Sequence, residues 1–336
     1  MSLFKAETRR LTKRRFTRFF TLGVVLVLLA VAAGMFLTNK KTSPEVAAQA
    51  QAKAEQEYQR AAQQYATDRQ ACEAAPGTPN AQNWPANCDE LYQPQQTDFD
   101  PDWFMPATFK FVEQFPEMAT VLAALLAAAA FVIGATFVGA EWHSGGMMNL
   151  LLWRPKRVQV VGTKLTALLV GLTGLTVVLS ALWTGAFVVI AQLRGSTEGL
   201  TAGAWQSIAL TELRGLVLVL VAGTLGFGLA SIGRHTAVAM GAAIGAIVVL
   251  QAGLGTVLQL AKVKFIEAYL APSWITAWMD KRLELEDYQA CDFSSTGGCE
   301  PDTLVLTWQQ AGAGLTALVI VAVAATLWAI RSRDIT

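Results

Sequence analysis

Six long apolar runs divide the chain, near residues 19–38, 116–139, 159–193, 205–232, 235–260 and 308–330. Each can cross a hydrocarbon core, which takes about 20 helical residues. Runs of this length must be helical, because a helix satisfies its own backbone N–H and C=O groups where no water is available. The polar stretches between them are of two kinds. Residues 1–18, 140–158, Gly233 to Thr236 and 331–336 are short and basic, while 39–115 and 261–307 are long and mixed. The pattern predicts an all-α polytopic membrane protein: six transmembrane helices, an N-terminal interfacial helix and two disulfide-stapled extracytoplasmic segments.

Composition agrees with the pattern. With 53% hydrophobic and 15% charged residues, the chain is too apolar to cover a water-facing surface. Charge then sets the expected orientation. The leader holds Lys5, Arg9, Arg10, Lys13, Arg14, Arg15 and Arg18 against one acid, Glu7, and is expected in the cytoplasm. Six spans return the C-terminus to that side. With the island counted through Lys164, the inner segments then carry 14 Lys and Arg against 3 acids, and the rest of the chain 12 against 22. A formal net charge of +1 conceals this asymmetry.

The long polar segments differ in chemistry. Residues 44–74 are rich in Ala, Gln and Glu, with Pro44 at the start and no later Gly or Pro, which predicts a helix of about 30 residues, roughly 45 Å long. A turn-rich stretch, PGTPNAQNWPAN, follows. Cys72 and Cys88 lie in this segment, and Cys291 and Cys299 in the second. An oxidising compartment favours the local bridges, 72 to 88 and 291 to 299. The other two connectivities require the segments to pack together. Residues 261–307 open with Phe265, Tyr269, Trp274 and Trp278, aromatic rings suited to the membrane boundary. They are expected to form an interfacial or re-entrant helix pair. Capping an exit path and merely covering helix ends both fit this segment.

Phe4, Leu11, Phe16, Phe19 and Phe20 interleave with the leader's cations, as in a helix lying against anionic lipid. Ala30-Val31-Ala32 is similar to a signal-peptide cleavage site, but the apolar run from Phe19 to Leu37 is longer than a signal peptide needs and favours an anchor.

The span centres contain no Asp or Glu, which speaks against ion-coupled transport. Glu117, Glu141 and Glu212 fall at or near span boundaries, and Arg214 is expected with Glu212 at the exposed outer end of the fourth span; a span that begins at Trp205 would instead bury Arg214 and require a partner for it. Gly223, Gly226, Gly228, Gly241 and Gly245 permit close helix packing. No catalytic group or metal site is expected. His143 and His235 lie in separate loops without zinc-binding spacing, and Gly162-Thr163-Lys164 lacks the remainder of a P-loop. Neither a nucleophile elbow nor a nucleic-acid groove is present.

The polar island after the second run carries the most specific signal. Gly139-Ala140-Glu141-Trp142 is followed by Ser144-Gly145-Gly146-Met147, then Asn149 to Trp153, Arg154-Pro155-Lys156-Arg157 and Lys164. This order resembles the coupling segment of type 2 ATP-binding cassette (ABC) permeases, in which an acid, a Gly turn, a short helix ending in Pro-x-Arg and a Lys follow one another. The six-span layout, the turn at 230–236 and the Arg333-Asp334-Ile335 ending extend the likeness. The long 39–115 insert departs from it.

The resemblance implies a non-enzymatic permease in a bacterial-type plasma membrane, paired with a separate ABC ATPase subunit that binds ATP and Mg, and with a second permease copy. Membrane lipids are the other expected partners. Glu141, Gly145, Arg154, Pro155, Arg157 and Lys164 would form or brace the coupling helix. Gly145 and Gly146 permit the reversal, and Pro155 ends the short helix. The aliphatic spans suit a hydrophobic or amphipathic export substrate. A membrane-anchored scaffold or sensor with a stapled ectodomain is the second reading, and an intramembrane enzyme the third.

Overall fold

The computed structural model describes residues 3–153, 156–288 and 301–332. In chain order the helices are α1 (Leu3–Lys13), α2 (Arg15–Thr38), α3 (Pro44–Ala74), α4 (Phe111–His143), α5 (Gly146–Trp153), α6 (Arg157–Arg194) and α7 (Ala202–Gly233). They continue with α8 (Thr236–Ala246), α9 (Leu254–Leu260), α10 (Ala271–Asp280) and α11 (Trp308–Ser332). Ile247–Gly253, between α8 and α9, is π-helical. Among the described residues six elements are long and apolar enough to cross a membrane: α2, α4, α6, α7, the α8–α9 run and α11. The described residues also hold four short strands: β1 (Phe109–Lys110), β2 (Gly195–Ser196), β3 (Arg282–Asp287) and β4 (Asp302–Thr307).

The chain divides into two compact units. One holds residues up to 32, 112–187 and 199 onward, and the other 33–111 and 188–198. Within the first unit α4 and α7 are central. Their most apolar stretches are 56% and 61% buried, against 6% for α2 and for the α8–α9 run. Glycine allows this pair to approach closely: a Cβ at Gly226 would stand 2.1 Å from the Phe131 carbonyl oxygen, and one at Gly134 2.3 Å from that of Gly223. Such small-residue contacts supply dispersion energy where lipid tails remove the hydrophobic drive. Ala123 of α4, Leu218 of α7 and Met279 of α10 form one core cluster, with Trp278 and Leu315 packed against it. Trp278 Nε1 donates to the Arg214 carbonyl at 3.0 Å, fixing α10 to α7.

Residues 261–307 depart from the expected helix pair. Their described residues form a 3₁₀ turn (Ile266–Tyr269), the helix α10, and two antiparallel strands pairing Arg282 with Thr307 through Asp287 with Asp302. The cause is visible in Arg282-Leu-Glu-Leu-Glu, whose alternation of charged and apolar residues suits a strand with one covered face. Cys291 and Cys299 lie outside the described residues.

In the second unit α3 occupies the helix span expected from sequence. Ser43 caps it, its Oγ accepting from Val46 N at 3.3 Å, and Pro44 fits the first turn. Cys72 and Cys88 are disulfide-bonded across 16 residues, with Cα atoms 5.9 Å apart. The chain returns over α3 in short 3₁₀ turns, held by Tyr58 against Phe99 (ring centroids 6.0 Å apart) and Gln96 donating to Glu55 at 3.0 Å. β1 and β2 pair in parallel, Phe109 with Gly195 and Lys110 with Ser196.

Candidate functional site

One end of the first unit gathers the last turn of α4, the segment through α5 to the start of α6, helix α1 and the α7–α8 turn. It is the basic end of the unit. Glu141 lies in the final turn of α4, and α4 stops two residues later at His143. The backbone reverses through Gly145, whose φ of +72° is open to glycine but strained for other residues. Nothing lies within 4 Å of a Cβ built there, so backbone freedom and not space requires the glycine. Helix α5 follows, and α6 begins at Arg157. Arg154 and Pro155 fall outside the described residues. Lys156 is exposed and Arg157 half-buried.

Lys164, in the second turn of α6, has no exposed side-chain surface. Its Nζ lies 2.6 Å from Glu141 Oε2 and 2.6 Å from Glu7 Oε2. Glu7 is equally enclosed and also accepts from Arg10 Nη1 at 3.2 Å. Glu141 Oε1 accepts from Arg14 Nη2, whose other terminal nitrogen donates to the Thr136 carbonyl at 3.0 Å. The charges therefore alternate in a ladder: Arg10, Glu7, Lys164, Glu141, Arg14. Burying a single ion costs several kcal/mol, so such groups remain charged only where opposite charges and hydrogen bonds surround them. Phe137 adds an aromatic face, with its centroid 5.0 Å from Arg14 Cζ and 5.2 Å from Lys164 Nζ.

The ladder joins elements far apart in sequence. Glu7 is 157 residues from Lys164, and Arg14 is 127 from Glu141. Helix α1 contributes Glu7 and Leu11, one turn apart on one face and both buried. Leu11 packs on Gly171, where a Cβ would stand 2.5 Å from Leu11 Cδ2. The interfacial helix expected from sequence is thus seated on α6 by this face.

The α7–α8 turn abuts the same place. Arg234 takes a left-handed conformation (φ 52°) as the C-cap of α7, and its guanidinium lies 5.1 Å from the Trp142 ring centroid. A Cβ at Gly139 would come within 2.6 Å of Thr236 N. His143 and His235, separate in sequence, bring their rings to 4.9 Å, while His235 Nδ1 caps α8 by accepting from Ala237 N at 3.0 Å. Trp142 Nε1 is buried without a hydrogen-bond partner among the described residues.

Two expectations at the far end of α7 change. Glu212 stands ten residues inside α7 and accepts a hydrogen bond from Thr184 of α6. Arg214, expected to be exposed, is half-buried. Its Nη1 is enclosed without a hydrogen-bond partner among the described residues, and its guanidinium lies 5.8 Å from the Trp308 ring centroid. The reason is α10, which closes against this part of α7 through Trp278.

Of the residues singled out in the island, the structure brings Glu141 and Lys164 into direct contact and places Gly145 in the reversal between them. Glu7 and Arg14 were not anticipated as site residues. The available signal was Glu7 itself, a lone acid among seven cations. Among the described residues no group of three or more His, Cys, Asp or Glu could hold a metal ion.

Neither a curated protein nor a solved structure matches the chain. A family does: residues 1–333 match the one described as ABC-2 family transporter protein. Six apolar helices accord with that match, and the chain belongs to the ABC-2 family of membrane transport permeases.

Proposed function

We propose that the chain is the permease subunit of an exporter driven by ATP hydrolysis on a separate ABC ATPase, and that its basic end faces the cytoplasm and docks that partner. The observation that carries this reading is the buried pairing of Glu141 with Lys164, because it clamps both flanks of the 143–157 segment. A displacement passed from the docked partner to the end of α4 would then carry α6 with it and, through Glu7, α1. ATP and Mg belong to the partner. Its acidic side chains would meet Lys156, Arg157 and Arg154. A second permease copy completes the path, and an amphipathic substrate suits the aliphatic spans.

Affinity isolation of the full chain from native membranes, followed by mass spectrometry and an ATPase assay, tests the reading. Wild type should retain a P-loop ATPase. Lys156→Glu, a reversal at an exposed position, should weaken that association at least about tenfold if the site is desolvated on docking. Folded chain that retains no ATPase would overturn the permease reading in favour of a membrane-anchored scaffold. Undiminished association of Lys156→Glu would remove the docking role from this segment.

A further inference from the structure

Helix α2 presents one continuous exposed stripe. Arg15, Phe19, Leu22, Leu26 and Leu29 recur at spacings of four, three, four and three residues, which places them on one helix face. All five are exposed, Phe19 by 70% and Leu29 by 61%. From Phe19 to Leu29 the stripe measures about 15 Å, half of a hydrocarbon core of about 30 Å and so the depth of one leaflet. Its polar end is purely cationic. Lys13, Arg15 and Arg18 are exposed there beside Phe16, and none of the three has a carboxylate partner among the described residues.

The neighbouring residue has the opposite fate. Arg14 turns inward to Glu141 and the Thr136 carbonyl, while Arg15 turns out. The regular helix breaks at Arg14, and Arg18 Nε reaches back across the break to the Thr12 carbonyl at 3.1 Å. Four cations therefore crowd the α1–α2 joint, with Glu141 answering only Arg14. Their mutual repulsion works against keeping α1 seated.

We propose that this joint is a binding site for one anionic phospholipid. Its phosphate is held by Lys13, Arg15 and Arg18, one acyl chain lies along Phe19, Leu22, Leu26 and Leu29, and occupancy keeps α1 docked on the ion-pair ladder. Charge favours an anionic over a zwitterionic headgroup, because the cluster has excess positive charge and a choline lipid brings its own cation. The apolar stripe favours a lipid over a soluble phosphate, which would gain nothing from it. This site does not depend on the ATPase partner, so it can be tested on the chain alone.

The test uses purified full-length chain in phosphatidylcholine bilayers and spin-labelled phosphatidylglycerol as probe. The relative association of phosphatidylglycerol over labelled phosphatidylcholine is read by electron spin resonance. Hydrogen exchange of residues 3–13 is followed as unlabelled phosphatidylglycerol is added. Wild type should prefer phosphatidylglycerol and should lose exchange in α1 as its fraction rises. Arg15→Gln/Arg18→Gln should lower the preference about fivefold and abolish the protection, whereas Arg15→Lys/Arg18→Lys should keep both. Both substitutions lie at exposed positions, and an unchanged thermal midpoint verifies folding. Equal preference in wild type and the glutamine variant would overturn the site. So would protection by soluble glycerol phosphate equal to that by the lipid, or absence of any lipid preference because a second copy covers the stripe.

Discussion

Lys164 and Arg69 each meet two carboxylates, yet Lys164 exposes none of its side chain and Arg69 exposes 45%. Arg69 reaches Glu73 and Asp89, both at 3.1 Å, in water. There the attraction is screened, and ordering two side chains offsets much of it. Lys164 and Glu7, at the centre of the ladder, have no water to fall back on, so removing either strands the other. The stapled segment is consequently held by a covalent bond and by packing such as Tyr58 against Phe99, and its ion pairs are incidental. At the basic end the charges are the joint. In the proposed coupling role such a connection is either whole or broken, which is what a relay of motion needs.

Substitution of Lys164 should separate the two regions most clearly. Lys164→Met leaves Glu7 and Glu141 buried without their shared cation and is expected to destabilise the first unit by about 3 to 5 kcal/mol. The check is thermal unfolding in detergent. The double variant Glu7→Met/Lys164→Met should recover part of that loss, since it also removes one stranded charge; a strictly additive double variant would show that the two do not interact.

Opening the disulfide comes next. Closing a loop of 16 residues restricts the unfolded chain by about 3 kcal/mol, so Cys72→Ser/Cys88→Ser should loosen residues 72–104 to that extent. Limited proteolysis should then cut within that stretch while the spanning helices remain intact. Cleavage no faster than in wild type would mean that packing on α3 suffices.

Acid should reach the same region more gently. The Tyr92 hydroxyl, and after it the Gln95 N–H, donates to Asp98 and holds its carboxyl below the usual carboxylate range. A folded pKa lower than the unfolded one means that this contact stabilises at neutral pH and is lost as pH falls through the folded value. Tyr92→Phe should therefore move the Asp98 titration upward, readable by carboxyl NMR shifts. The smallest effect is expected for Arg69→Ala, whose thermal midpoint should stay within about 1 °C of wild type. A large drop would contradict the contrast between exposed and enclosed pairs.

Much of this architecture can be read from sequence, because the signals are local. Apolar run length marks the six spans, Ser43-Pro44 and an unbroken helix-forming stretch mark α3, and nearness in the chain marks Cys72 with Cys88. Glu141 and Lys164 stood out because an island of charge between apolar runs is conspicuous. Glu7 and Arg14 did not, since their meaning lies in partners more than 120 residues away. Glu7 counted only as a reduction of basic charge. For Arg214 the sequence allows an exposed or a buried position according to where the fourth span begins; α7 begins at Ala202, and α10 and Trp308 complete the enclosure. The β3–β4 pair was legible in principle from its two-residue alternation, but its position beside aromatic, membrane-boundary residues favoured helix.

The π-helical stretch Ile247–Gly253 carries a consequence for mapping the fifth span. Bonding from i to i+5 puts about one extra residue into the turn, equivalent to about 100° of rotation in an α-helix. Gly241 and Gly245 before the stretch and Val257 after it consequently lie on faces that a single helical wheel would misalign. Cross-linking or cysteine-accessibility scans of Thr236–Leu260 should fall into two phases, each regular by itself, with the jump at the widened turn.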